Sequence, residues 1–268
     1  MSIIFGTHII YTVQNGDTLS GIAERFESTP EAIIQANSLY PPITDPGQIA
    51  PDQMLVIPQL AAPDIQTVYI VHSGDTLSQI AERYDTHPDM IAGISIGVQN
   101  PDFIFPQQPL WLPAALYEIE AGESLYSIAN RLGISVSTLI QANQHRPGFS
   151  PDILYPEFRL IVPLPSSTNI VVLNPLPGNT IGDEHILQGY ARAFEANVLH
   201  QVRDEQGNIV SEERFTTADV GAPGYGFFES TLPFDRNPAT PTGEVWVYTR
   251  SARDGSIQDL VQTKVRFE

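Results

Sequence analysis

The chain has 268 residues, with 13 Lys plus Arg against 31 Asp plus Glu and a formal net charge of −18. Its single lysine is Lys264 and its arginines are scattered singly, so it offers no basic groove for nucleic acid or an anionic membrane surface. The lack of cysteine excludes disulfides, thiolate metal sites and cysteine nucleophiles, and no apolar run reaches the length of about 18 residues that membrane insertion requires.

Residues 1–10 form an arm that is apolar at Ile3, Ile4, Phe5, Ile9 and Ile10. The arm has no basic segment, no long apolar stretch and no small-residue cleavage site, so no classical export signal is expected. An apolar end of this kind is expected to join a sheet edge, and two partners are open. On its own chain it would lengthen the first strand. On a neighbouring copy it would act as an assembly element, and head-to-tail contacts of that sort build rings or open filaments.

One pattern then recurs three times, over residues 11–59, 69–114 and 117–164. Tyr11-Thr-Val-Gln-Asn-Gly16-Asp17-Thr18-Leu19-Ser20 is repeated as Tyr69-Ile-Val-His-Ser-Gly74-Asp75-Thr76-Leu77-Ser78, and again from Tyr117 through Gly122, Glu123, Ser124 and Leu125. Tyr11 and Val13 alternate as in a half-buried strand, which the glycine ends. The hydroxyls Thr18, Thr76 and Ser124 are the expected N-caps, with the neighbouring acid favoured by the helix dipole. Leu19, Ile22, Ala23 and Phe26 fall on one helical stripe. A second helix is expected from Pro30, from Pro88, and from a cap at Ser135 or Ser137 in the third copy, ending near Asn37, Ser95 and Asn143. Leu55-Val-Ile-Pro58, Leu110-Trp-Leu-Pro113 and Leu160-Ile-Val-Pro163 close each unit as a strand. Each copy thus reads as a βααβ module.

These segments resemble the LysM (lysin motif) family. The resemblance implies binding of N-acetylglucosamine polymers, peptidoglycan or chitin, in a shallow groove between the first strand-helix loop and the loop before the last strand. By position it implies Gly16, Asp17, Thr18 and Leu19 with Ile49 and Ala50 in the first copy, and Gly74, Asp75, Thr76 and Leu77 with Ile104 and Phe105 in the second. The third would use Gly122, Glu123, Ser124 and Leu125 with Leu154 and Tyr155. Sugars present amides and hydroxyls to backbone partners and apolar ring faces to such side chains. The same Gly, Asp and Thr also suit a capped strand-to-helix turn, and the Leu and Ile suit a core. This chain departs from the family pattern where Pro-Gly-Gln normally precedes the last strand: it has Pro51-Asp52-Gln53, Pro106-Gln107-Gln108 and Pro156-Glu157-Phe158. The second copy also replaces the usual Asn by Ser95 and carries Gly93 in its second helix, at a cost of about 1 kcal/mol relative to Ala. Some modules would then be spacers.

Beyond the polar linker at residues 164–168 the period changes to short strands: 170–173, 186–193, 198–203, 209–215, 226–232, 245–249 and 260–267. Turns are expected at Gln206-Gly207-Asn208 and Asp254-Gly255. Seven strands predict an antiparallel β-sandwich over residues 169–268. Asn174-Pro175-Leu-Pro177-Gly178, the stretch Gly189 to Val198 with its Arg192, Phe194 and Glu195, and Asp254-Gly255-Ser256 resemble the immunoglobulin-like domain of bacterial spore-germination proteins. That resemblance implies a noncatalytic domain without an established ligand. It also implies synthesis in the mother cell and a place on the spore surface, in coat or exosporium, or in the cell wall. Asp204-Glu205 and Glu212-Glu213 read as solvated charges that protect hairpin edges.

No metal-binding histidine pair, nucleophile elbow or phosphate loop is present, so neither an enzyme nor a cofactor is expected. Two function classes remain. One is a noncatalytic envelope protein whose three weak glycan sites gain roughly 10²- to 10⁴-fold in avidity where they engage together. The other is a self-assembling subunit of a spore-surface fibre or coat layer, joined by its N-terminal strand.

Overall fold

The computed structural model describes every residue except 1, 2, 5, 41–46, 61–65 and 99. The chain divides into an amino-terminal unit, Met1–Ala129 with Ser135–Pro163, and a carboxy-terminal unit, Asn130–Ile134 with Leu164–Glu268.

The amino-terminal unit opens with β1 (Ile3–Ile4). The first repeat follows as β2 (Thr7–Thr12), α1 (Leu19–Arg25), α2 (Pro30–Ala36) and β3 (Met54–Pro58). The second is β4 (Gln66–Ile70), α3 (Leu77–Arg83), α4 (Pro88–Ile94) and β5 (Pro109–Leu112), and the third β6 (Ala114–Glu118), α5 (Leu125–Leu132), α6 (Val136–Asn143) and β7 (Arg159–Pro163). Helix starts match the capping chemistry. Thr18 accepts from the Gly21 amide, Thr76 forms a reciprocal capping box with Gln79, and Ser135 rather than Ser137 caps α6.

The repeats are not independent beads. β2 pairs antiparallel with β3 and parallel with β4, so the first two share one sheet of order β3-β2-β4-β5. One face packs Ile9, Tyr11, Leu55 and Ile57 against Ile22 and Ile33 of the first helix pair. The other packs Ile10, Met54 and Val56 with Tyr69, Ile80, Tyr84 and Ile91 of the second repeat and with Leu116, Ala142 and Ile161 of the third. β2, expected to be half-buried, is therefore covered on both sides, and each large side chain enclosed there contributes roughly 1.5–3 kcal/mol.

The arm finds its edge within its own chain. Ile3 pairs with Tyr117 and Ile4 with Leu116, giving a second sheet of order β1-β6-β7. Ile9 and Ile10, expected in the arm, lie inside β2 and are buried. Phe5 lies outside the described residues.

Polar groups close each repeat, and one arginine joins two of them. Asn37 donates through Nδ2 to the Ile33 and Val56 carbonyls at 2.8 and 2.7 Å and accepts the Val56 amide at 2.8 Å. Asn143 repeats these bonds with Leu139 and Ile161. In the second repeat Ser95 accepts only the Trp111 amide, at 2.9 Å, which accounts for the tolerance of Ser there. Between the first and third repeats the buried Arg146 donates to the Ala36 and Arg159 carbonyls and to Asn37 Oδ1, with its guanidinium 4.3 Å from the Phe158 ring centre. Burial pushes this guanidinium down to about 9, so it stays charged at neutral pH on neutral acceptors and an aromatic face.

The carboxy-terminal unit is a β-sandwich. Its strands are β8 (Ile170–Asn174), β9 (Thr180–Ile181), β10 (His185–Ala191), β11 (Asn197–Asp204), β12 (Ile209–Thr217), β13 (Gly226–Leu232), β14 (Thr242–Arg250) and β15 (Ile257–Phe267). A sheet of order β13-β10-β8 packs on one of order β12-β11-β14-β15-β9 around Val172, Leu187, Val202, Phe228, Val245 and Val265. β9, which the sequence reading lacks, is a two-residue strand parallel to the end of β15. Asp204 departs from the solvated charge expected of it. It is buried and accepts from the Gln206 and Asn208 amides and the Asn208 side chain, so it shapes the turn into β12.

Candidate functional site

The strand-to-helix loop is held by the same pair of donors, a tyrosine and a backbone amide, in each repeat. In the first, the Tyr11 hydroxyl and the Gln14 amide both donate to Asp17 Oδ2, at 2.7 and 2.8 Å. In the second, Tyr69 and the His72 amide donate to Asp75 Oδ2 at the same two distances. Glu123 in the third splits the task, accepting Tyr117 on Oε1 at 2.7 Å and the Glu120 amide on Oε2 at 2.9 Å. The longer acid therefore preserves the latch. Arg25 and Arg83 also donate to Tyr11 and Tyr69. Burial, reinforced by the bond to Asp17, pushes the Tyr11 hydroxyl up to about 12, and Tyr69 rises for the same reasons, so both remain donors. The repeated acids thus hold the loop in shape.

The second loop is tied to the first by backbone bonds. Val13, Val71 and Ile119 each donate to the carbonyl at 53, 108 and 158, and each accepts the amide at 52, 107 and 157. Those last three positions are Asp52, Gln107 and Glu157, at φ of 69°, 71° and 69°. The glycine that the family pattern places there is missing, but the left-handed backbone is kept. Gln107→Gly should therefore raise stability by about 0.5–1 kcal/mol, since left-handed strain outweighs the added freedom of the unfolded chain. Urea denaturation reads this directly, and a loss of stability would contradict it. Gln53 and Gln108 further brace the loop by accepting the Ala50 and Phe105 amides. In the third repeat Phe158 takes that place and turns inward against Phe149 and Arg146.

The two loops together expose Gly16, Thr18 and Ala50 in the first repeat, Gly74, Thr76 and Phe105 in the second, and Gly122 and Ser124 in the third. Asp17, Asp75, Glu123, Leu19, Ile49, Ile104, Leu154 and Tyr155 are half-buried, and Ile49 and Ile104 pack on the cores. Leu77 and Leu125 are buried outright and belong to the interior. Gly16, Gly74 and Gly122 adopt φ of +89°, +93° and +86° and face open space, so a ligand can approach their backbone. Three exposed apolar side chains on these segments escape the motif pattern: Phe103, Tyr126 and Ile153. Their signal in the sequence is an aromatic or branched residue lying off the helical stripe or outside the closing strand.

Among the described residues no group of three or more His, Asp or Glu is placed to hold a metal ion, and no helix is long and apolar enough to cross a membrane. The chain matches the LysM domain over residues 11–58, 69–113 and 117–163, and the immunoglobulin-like domain of bacterial spore germination over 169–256. It is 26% identical to the secreted LysM effector ECP6 of Passalora fulva over 46% of its own length and 64% of that protein. It is also 26% identical to the N-acetylmuramoyl-L-alanine amidase sle1 of Staphylococcus epidermidis, over 57% of this chain and 50% of the amidase. A putative sporulation-specific glycosylase, YdhD of Bacillus subtilis, is 30% identical over 36% of this chain and 22% of its own. The chain thus spans less than two thirds of the length of each of these relatives. The crystal structure of the Bacillus cereus spore cortex-lytic enzyme SleL aligns over 40% of this chain and 22% of its own at 25% identity, with a TM-score of 0.28. With more than half of its length matched in three copies, the chain belongs to the LysM domain family and carries an immunoglobulin-like domain of bacterial spore germination after its three repeats.

Proposed function

We propose that the protein is a noncatalytic binder of N-acetylglucosamine polymers, peptidoglycan foremost, in the envelope of a spore or cell. The observation that carries this reading is the loop pair, built three times with the same bonds and presenting exposed backbone and hydroxyls beside apolar side chains. The acetamido and hydroxyl groups of the sugar suit the open loop backbone, and its ring face suits Phe105. The acids that repeat, which would be the obvious candidates for acid-base chemistry, are occupied by a tyrosine and a backbone amide in every copy. An amidase of the cell wall and a sporulation-specific glycosylase among the relatives support the same setting. Deposition on the spore surface from the mother cell fits the second domain. Because the first two repeats share a sheet and the third packs on the same core, their spacing is set by the fold, and avidity depends on whether that spacing matches the polymer.

Cosedimentation with purified peptidoglycan and with chitin tests the reading. Wild-type protein should be retained while the turbidity of the polymer suspension stays constant. Phe105→Ala, at a side chain 65% exposed, should weaken retention roughly 3- to 10-fold with little change in melting temperature. Failure of the wild type to bind either polymer would sink the proposal.

A further inference from the structure

In the segment Gly189 to Val198, which carries the resemblance of the carboxy-terminal unit to its family, Ala191, Ala193, Ala196 and Val198 enter the core, but Phe194 does not. After β10 the chain makes a single 3-10 turn, Phe194–Ala196, in which Glu195 and Ala196 hold left-handed φ of 52° and 59°. Such conformations are costly for residues with a Cβ. Their result is that Phe194 stands 76% exposed. Across from it Phe215 of β12 is 73% exposed, paired in register with Leu199 of β11. The two rings border a cleft of about 680 Å³ that runs over the end of the five-stranded sheet. That size lies within the usual range of ligand sites.

The cleft is also lined by a connected polar set. Arg192 Nε donates to Asn169 Oδ1 at 2.7 Å, and Asn169 Nδ2 donates to Asp259 Oδ1 at 2.9 Å. Asp259, like Glu195, has a left-handed backbone, with φ of 53°. Arg192 also lies over the Tyr225 ring at 4.9 Å. These bonds fix planar amide, carboxylate and guanidinium groups beside two open aromatic faces.

The charges select among ligands. The lining holds two arginines, Arg192 and Arg250, and two acids, Glu195 and Asp259, so its charge count favours neither an anion nor a cation. An added peptide strand would need the free edge of β12, which carries the exposed Glu212 and Glu213. A neutral ligand with flat apolar faces and many hydroxyls satisfies both the rings and the polar set. We infer that this cleft is a saccharide site of the immunoglobulin-like domain, taking a neutral glycan whose rings stack on Phe194 and Phe215 and whose hydroxyl or acetamido groups meet Arg192, Asn169 and Asp259. It is separate from the loops of the LysM repeats and does not depend on their binding glycan.

The test uses the full-length ¹⁵N-labelled chain titrated with chitotetraose, cellotetraose and maltotetraose in turn, read at the amides of residues 194–197 and 258–259. At least one saccharide should shift these amides saturably, and Phe194→Ala or Phe215→Ala should each weaken that binding about tenfold. Both side chains are exposed, and an otherwise unchanged amide spectrum shows that each variant is folded. Silence of these amides towards all three saccharides would overturn the assignment, as would equal affinity in both variants. Shifts confined to the loops at Gly16, Gly74 and Gly122 would also overturn it, while leaving the LysM reading standing.

Discussion

Replacing Asn37 by Ala will lower the stability of the amino-terminal unit by about 4 kcal/mol. The side chain is fully buried and makes three bonds that close the first repeat, two to the Val56 backbone and one to the Ile33 carbonyl. Its removal strands both polar groups of a central residue in β3, and each buried orphan costs roughly 1–3 kcal/mol. Arg146 adds to the loss, because its Nη2 donates to Asn37 Oδ1 at 2.9 Å in an interior with neutral acceptors. The second repeat supplies an internal control. Ser95 meets one amide only, so Asn37→Ser should recover part of the loss, while Ser95→Ala should cost about 1–2 kcal/mol. Hydrogen exchange at β2 and β3 amides measures these differences within the unit. An Asn37→Ala variant within about 1 kcal/mol of wild type would refute the role assigned to the residue.

Acidification from pH 7 to about 4.5 will destabilise both units through one buried histidine in each. Burial, assisted by the charge of Arg159, pushes His8 down to about 4, and burial with Arg214 does the same to His200. His8 Nδ1 lies 3.0 Å from the Gly6 carbonyl, and His200 Nε2 lies 2.9 Å from Ser230 Oγ. Both are neutral in the folded chain at neutral pH. The unfolded chain takes up a proton near its ordinary value of about 6.5, so between there and about 4 the unfolded state binds more protons and stability falls with pH. The contribution is complete above about 6.5 and lost by about 4, where the folded histidines also charge. A shift of this size corresponds to at most about 3 kcal/mol per histidine, less where water reaches the ring. Hydrogen exchange at pH 7, 5.5 and 4.5, read separately in β2 and in β11, should show the decline in each unit. His200→Gln should flatten it in β11 alone. Protection that is unchanged down to pH 4.5 would rule out this role for the two histidines.

Much of the local structure was legible because its causes are local. A hydroxyl before an apolar stripe made Thr18 and Thr76 caps, proline at the first helical turn opened α2 and α4, and Gly207 and Gly255 turned their hairpins. The family pattern even marked the turn at Asp52, Gln107 and Glu157, where the backbone kept the conformation although the glycine had gone. The merger of two repeats through parallel β2–β4 pairing was not legible, since it joins strands distant in sequence. The clue was the run Met54–Ile57, apolar on both faces where alternation would mark one solvated side. β9 has two residues and no pattern to read. Arg146, one of the singly scattered arginines, is a buried junction that no local pattern marks, because what surrounds it comes from two repeats. The arm illustrates the same limit: its hydrophobicity announced a sheet edge, and only the three-dimensional arrangement named β6 of its own chain.

In the candidate site, the residue types were legible but their division of labour was not. Asp17 and Asp75 look equally suited to touching a ligand or shaping a loop, and the paired bonds from tyrosine and backbone show the second task. Leu77 and Leu125 went to the core while Phe105 stayed outside, a distinction set by packing depth that residue spacing does not report.

The proposed binding of an N-acetylglucosamine polymer falls to the paired loops of the LysM repeats. The most direct measurement is an ¹⁵N amide titration of the full-length chain with a soluble N-acetylglucosamine tetramer, followed at Gly16, Thr18, Gly74, Thr76, Gly122 and Ser124. Saturable shifts are expected at these amides in at least one repeat, with the amides of the buried strands β3, β5 and β7 much less affected. A spectrum that does not move at any of the three loop pairs, at millimolar sugar, would contradict the proposed binding.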